Sequence, residues 1–238
     1  MTLDQLDDVV TRLRATEHRR GHRWAQSLHR RVLVGCVALR TNLTVRELAA
    51  VFAISKSQAH RIVANLTARL AALLDSTVIW NRRWSWVVDG TLVPTRDHLR
   101  AAKSKNYRWS CNAQVLIRRL DLHVIAISAG GPGNRNDVVH YRATPIEALC
   151  RHHRRVIADG GYRGVRELRT PIFRGRRIVR DARWRRHRRR RARVEHAIAR
   201  LKDWRVLRDH RRRGDHLPDT VRAVAFLHNL RIKQRDIS

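Results

Sequence analysis

Cysteine is nearly missing from this 238-residue chain: Cys36, Cys111 and Cys150 are its three, odd in number and far apart. With no CxxC pair and no even set at close spacing, a disulfide-stapled secreted domain is excluded and a reducing compartment is expected. A zinc site on Cys150, His152 and His153 is disfavoured too, because no second ligand pair at metal spacing accompanies it. Long apolar runs are also absent. Nothing approaches the roughly eighteen residues of a membrane span, and the amino terminus carries no signal-like hydrophobic stretch. A soluble, cytoplasmic, nucleoid-associated protein with no membrane partner is the expectation. Lysine is scarce, confined to Lys56, Lys103, Lys105, Lys202 and Lys233, and no internal repeat is visible.

What is abundant is arginine. The formal charge is +32 and the isoelectric point about 11.9, while 43% of residues are apolar. The apolar fraction is enough for a packed core, so the charge belongs to a folded protein. Such a surface repels itself and attracts phosphate backbones, which makes nucleic acid the leading partner. Codon bias could explain arginine in place of lysine, but not the net charge. The planar guanidinium fork also suits bidentate phosphate contact.

The chain divides near residue 80. Residues 1–76 read as helical. Within them Thr44 and Glu47 form a capping box for a short helix with Val45, Leu48, Ala49 and Phe52 on one face. After a tight turn, Ser55 or Ser57 can cap a second helix with Ala59, Ile62, Val63 and Leu66 inward. That leaves Lys56, Ser57, Gln58, His60 and Arg61 at its exposed start. Two helices so joined, at about residues 44–66, are the pattern of a DNA-binding helix-turn-helix; a plain helical bundle is the alternative. From residue 84 to 238 the pattern becomes mixed. "WSWVVDGTLVPT", "CNAQVLIRR" and "DLHVIAISAGGPG" read as strands, the last two as a hairpin, and "RVIADGGYRG" and "RRIV" as two more. "IEALCRHHR" and the stretches 187–206 and 217–234 read as helices. This order gives an α/β fold with mixed strand directions.

Three carboxylates stand out against the basic background. Asp89 and Asp159 each follow a hydrophobic strand and precede glycine, where a carboxylate sits on a rigid element and a ligand can approach closely. An aspartate before glycine is also an ordinary turn residue. Glu195 lies in "RRHRRRRARVEHAIARLKDW", at the edge of an apolar stripe starting at Val194. It could lean toward the two aspartates, or pair with Arg191 or Arg188 on its own helix face. Three converging carboxylates stay ionised together only if cations neutralise them. Hard oxygen donors favour Mg²⁺ or Mn²⁺, and two such ions can promote in-line phosphoryl displacement.

Five segments, in order, resemble the motifs of bacterial insertion-sequence transposases: "VVDGTLVPTRD", "AAKSKNYRWSCNAQVLI", "GGPGNRNDV", "VIADGGYRG" and "RARVEHAIARLKDWRVLRDHR". The likeness is to the DDE superfamily, in the group related to Harbinger elements, and covers about residues 30–235. It implies a ribonuclease H-like mixed sheet with flanking helices behind a helix-turn-helix. It also implies a catalytic, metal-binding triad at Asp89, Asp159 and Glu195, with thirty-five residues between the last two. Asp137 falls in a matching motif with a supporting role. Lys202 matches a position seven residues after the glutamate, where it could touch a phosphate, and Trp204 reads as core. Lys103, Lys105 and Tyr107, with Arg188 and Arg191, are further candidates for DNA contact. The segment before Glu195 departs from the pattern in being almost pure arginine.

The expected function is therefore a transposase. It would bind the terminal inverted repeats of its element and, as a homodimer or larger assembly on double-stranded DNA, cut and join strands with two metal ions. A DNA-binding regulator or domesticated transposase without catalysis is the main alternative, and an RNA-packaging protein is a third.

Overall fold

The computed structural model describes residues 2–16, 24–74, 83–104 and 108–233. Lys105 and Tyr107 lie outside that set. The chain begins with four helices: α1 (Leu3–Ala15), α2 (Leu28–Thr41), α3 (Val45–Val51) and α4 (Lys56–Ala72). Their starts are set by local hydrogen bonds. Thr44 accepts from the Glu47 N–H while Glu47 accepts from the Thr44 N–H, and the Ser55 hydroxyl accepts from the Gln58 N–H at 3.1 Å. Each bond satisfies a donor that a helix start leaves unpaired. The turn between α3 and α4 places Ala53 at φ 48°, a left-handed conformation that disfavours a Cβ. Ala38, Leu48 and Ala59 close a small core among α2, α3 and α4, with Phe52, Ile54 and Val63 packed against it.

The sheet follows. Its strands are β1 (Trp86–Pro94), the two-residue β2 (Ala102–Lys103), β3 (Trp109–Arg118) and β4 (Val124–Pro132), then, beyond helices α5 (Asp137–Arg142) and α6 (Pro145–Arg151), β5 (Val156–Ile157) and β6 (Leu168–Arg169). β3 lies antiparallel to β1 and to β4, while β5 runs parallel to β1 and β6 parallel to β5. The strands thus lie in the order β4, β3, β1, β5, β6, with β2 on the β4 side of β3. This mixed sheet with flanking helices is compatible with a ribonuclease H-like fold. The "RRIV" segment does form a strand, β8 (Arg177–Ile178), but in a separate hairpin with β7 (Phe173–Arg174). Helix α7 (Ala182–Lys202) starts five residues before the expected 187, because Asp181 caps it by accepting from the Trp184 N–H at 2.8 Å. The arginine run is therefore helical throughout. Helix α8 (Leu217–Lys233) is the last element among the described residues.

Strand alternation sorts the sheet's residues onto two faces. Val87, Val93, Ala113, Val115 and Ile117 join a large core with α1, α2, α4, α7 and α8. Trp86, Val88 and Leu116 pack instead with Tyr141, Ile146, Cys150, Val156 and Tyr162. The first of these cores runs without interruption from the N-terminal helices into the sheet, so α4 is seated on the same hydrophobic mass as β1. The three cysteines are buried free thiols. His153 stacks on Trp86 at 3.7 Å between ring centroids, away from any zinc arrangement with Cys150.

Candidate functional site

Asp89 sits in the middle of β1, not at its mouth. The strand continues through Gly90 and Thr91, which pair with Gln114 and Ala113 of β3. Glycine is needed at 90 for a different reason than turning: a Cβ there would lie 2.0 Å from the Asp137 Oδ1. By strand parity Asp89 faces α7, on the side of Val87. There the Arg191 guanidinium donates from Nη1 to the Asp89 Oδ2 at 2.9 Å and from Nη2 to the Glu195 Oε1. One guanidinium thus joins two of the three expected carboxylates. The side chains of Asp89, Arg191 and Glu195 are 14%, 23% and 51% exposed, so the bridge runs from a half-enclosed strand to the open helix surface.

Asp159 follows β5 and caps a 3-10 turn at Gly160–Tyr162, its Oδ1 accepting from the Gly161 N–H at 2.8 Å. It is close enough to Asp89 to act on it. Burial pushes the Asp89 carboxyl up to about 7 even though Arg191 pulls it down, and the charges of Asp159 and Asp137 push it up further. The Tyr162 hydroxyl feels the same group: burial raises it first, then Asp137, Asp89 and Asp159 in turn. Four acidic side chains, not three, therefore belong to this corner of the sheet. Asp137, at the start of α5, is held by Asn112 Nδ2 at 2.6 Å and Gln114 Nε2 at 3.3 Å, and Gln114 in turn accepts from the Tyr162 hydroxyl at 2.6 Å.

The site's fit to a metal can be read from these contacts. Among the described residues, no three His, Cys, Asp or Glu side chains are gathered into a ready-made metal cluster. A cationic centre nevertheless already lies within bonding distance of both Asp89 and Glu195, in the form of the Arg191 guanidinium. The donors are hard carboxylate oxygens, the set that suits Mg²⁺ or Mn²⁺. Chemically the residues fit a divalent ion, provided Arg191 gives up its bonds.

The remaining expected residues divide into two groups. Lys56, Ser57, His60 and Arg61 are exposed at the start of α4, with Gln58 half-buried beside them. Arg188 is exposed on α7 and lies over the Trp184 ring at 5.6 Å, and Lys103 is exposed on β2. Arg191 differs: it turns inward to the carboxylates, not outward as a phosphate contact would require. Lys202 is also drawn inward, its pKa lowered by burial and by the neighbouring charge of Arg208. It lines an open cleft of about 760 Å³ with Leu92, Ser104 and Arg108. Trp204 is core, 3% exposed. Asn112, Gln114 and Tyr162 were not anticipated. The trace of the two amides in the sequence is their alternate placement on a largely apolar strand, and Tyr162 sits in the "VIADGGYRG" segment.

Residues 80–230 match the transposase DDE domain family, and the chain belongs to it. Divalent metal ions are general to the chemistry of such domains. The chain is also 40% identical, over 234 residues, to a candidate transposase of insertion sequence element IS112 from Streptomyces albus G, covering 95% of this chain and 90% of that protein. No helix among the described residues is long and apolar enough to cross a membrane.

Proposed function

We propose that this transposase binds the terminal inverted repeats of its element through α3 and α4, and cuts and rejoins DNA at Asp89, Asp159 and Glu195. Residues 1–76 serve end recognition and 84–238 carry the catalytic sheet. The observation that supports this best is the Arg191 bridge: it draws Glu195, on a helix, and Asp89, on a strand, to one positive centre beside Asp159. Those three carboxylates would hold two Mg²⁺ or Mn²⁺ ions. Bound there, the ions would supply charge neutralisation and Lewis acidity for in-line displacement at a phosphodiester.

The chain's own residues do the rest. Asp89 and Asp159 present oxygens from rigid sheet positions, and Asn112 and Gln114 hold Asp137 against Gly90, the next residue along β1. The exposed arginines of α7 hold the polyanion beside the carboxylates, and Lys202 offers a half-buried ammonium in the adjoining cleft. The working form is a dimer or larger assembly on double-stranded DNA, in the bacterial cytoplasm on the nucleoid. Mg²⁺-dependent nicking of duplexes that carry the element's ends tests the proposal. Asp159→Asn abolishes nicking while leaving end binding intact. Nicking that survives this substitution refutes the assigned triad.

One observation favours a second reading. Arg191 occupies oxygens of two of the carboxylates within the protein itself, an arrangement that also suits a DNA-binding regulator that has no catalysis. Such a protein binds the same ends and gives no nicking at any Mg²⁺ or Mn²⁺ concentration.

A further inference from the structure

The segment Asp209–His216 is made of "DHRRRGDH", and it touches two parts of the molecule that are far apart in sequence. On one side it docks on the chain that continues β1. The His210 N–H donates to the Pro94 carbonyl at 2.8 Å, and the His210 carbonyl accepts from the Arg96 N–H at 3.0 Å. Asp209 pairs with Arg96 through two bonds of 3.2 and 2.8 Å, and Asp215 with Arg100 at 2.6 Å. The Gly214 N–H donates to the Asp97 Oδ2 at 2.7 Å. On the other side, Asn42, the residue that caps α2 and leads into α3, donates from Nδ2 to the Asp209 carbonyl at 2.8 Å.

Between these anchors the segment carries three consecutive arginines. Arg211 and Arg213 are exposed, whereas Arg212 is half-buried. They line one open cavity of about 430 Å³ together with Val45 of α3 and His60 of α4. Arg211 donates from Nε to the Asp209 Oδ2 at 3.2 Å and also lies near Glu47, and His60 is near enough to His216 for their charges to interact. The exposed arginines thus stand beside the exposed His60 of α4, one turn along the helix from Lys56. A helix that reads a groove is flanked by phosphates, and loops next to it contact that backbone.

We propose that Arg211 and Arg213 form a phosphate clamp on the same duplex that α4 engages. The clamp's anchoring to both α2 and β1 holds the bound end at a set distance from Asp89. The clamp extends the DNA surface beyond α4 and makes end recognition and strand cleavage parts of one rigid unit. This inference rests on the proposed end-binding function.

The test uses the full chain and a fluorescent duplex copied from the DNA flanking its reading frame, alongside a scrambled duplex. R211A/R213A weakens binding to both duplexes by roughly tenfold at physiological salt and lowers the slope of log K against log salt by about two, at about 0.9 per phosphate contact. R211K/R213K restores the slope, because a point charge suffices for a phosphate. Gln58→Ala with Arg61→Ala weakens the flanking duplex more than the scrambled one. An R211A/R213A protein with wild-type affinity and slope overturns the clamp. If the α4 variant also binds both duplexes like wild type, it is the end-binding reading that fails. The coupling is read on nick position: Asn42→Ala with Arg96→Ala spreads nicks over neighbouring phosphates. A single unchanged position overturns the coupling.

Discussion

Replacing Arg191 with glutamine removes the positive centre that Asp89 and Glu195 share while keeping much of the side chain's volume. The cost can be worked from the contacts. Asp89 is 14% exposed and accepts a 2.9 Å charge-assisted bond, and Glu195 is 51% exposed. Breaking a fully buried ion pair costs about 3–5 kcal/mol, and exposed pairs contribute little. A half-enclosed bridge of this kind should therefore be worth about 1–3 kcal/mol, or several degrees of Tm for a chain of this size. The loss depends on pH in a definite direction. Burial raises Asp89 to about 7 against the pull of Arg191, so without Arg191 the carboxyl moves further up. At pH 8 the variant must bury either an unpaired charge or a bound proton, and the full loss appears. At pH 6 Asp89 is mostly protonated in both proteins and the loss shrinks. Thermal unfolding at the two pH values measures this, and millimolar Mn²⁺ should raise the Tm of the variant more than that of wild type. Equal stability of R191Q and wild type at pH 8 would show that the bridge contributes nothing, and with it the argument for one shared cationic centre.

Two other expectations concern stability alone. Ala53→Gly relieves a left-handed alanine at φ 48° in the α3–α4 turn and raises the urea midpoint. The gain is about 0.5–1 kcal/mol after the extra freedom of glycine in the unfolded chain is subtracted, and a lowered midpoint would mean the turn is not left-handed there. Burial, the largest influence on both, lowers His210 and His228 to about 4. Both stay neutral in the fold but take up protons when unfolded, so stability is full above the ordinary histidine value near 6.5 and is lost as pH falls toward 4. Between pH 7 and 5 each histidine should cost on the order of 2 kcal/mol. His228→Gln should flatten that part of the curve, and an unchanged slope refutes the assignment.

Much of the fold could be read locally. The Thr44–Glu47 box, the Ser55 cap and the apolar stripes of α3 and α4 each depend on residues within one or two helical turns, so the sequence shows them directly. The strands at 86–94, 109–118 and 124–132 announce themselves by composition in the same way. Asp159 follows a strand and Glu195 lies on a helix, as their sequence surroundings indicate, but Asp89, expected at the mouth of its strand, lies within β1. The helix spacing of Arg191 and Glu195 was legible as well, but only as an ordinary surface pair.

What the sequence could not show is which distant groups meet. Asp89 and Arg191 are 102 positions apart, and their bond exists because the sheet order puts β1 beside the face on which α7 packs. The close approach of Asp137 to Gly90 and the anchoring of Asp209–His216 to both Asn42 and β1 have the same origin. Local preference is set by chain neighbours. Charge pairing between elements is set by how their apolar faces stack, and that is decided only when the whole core closes.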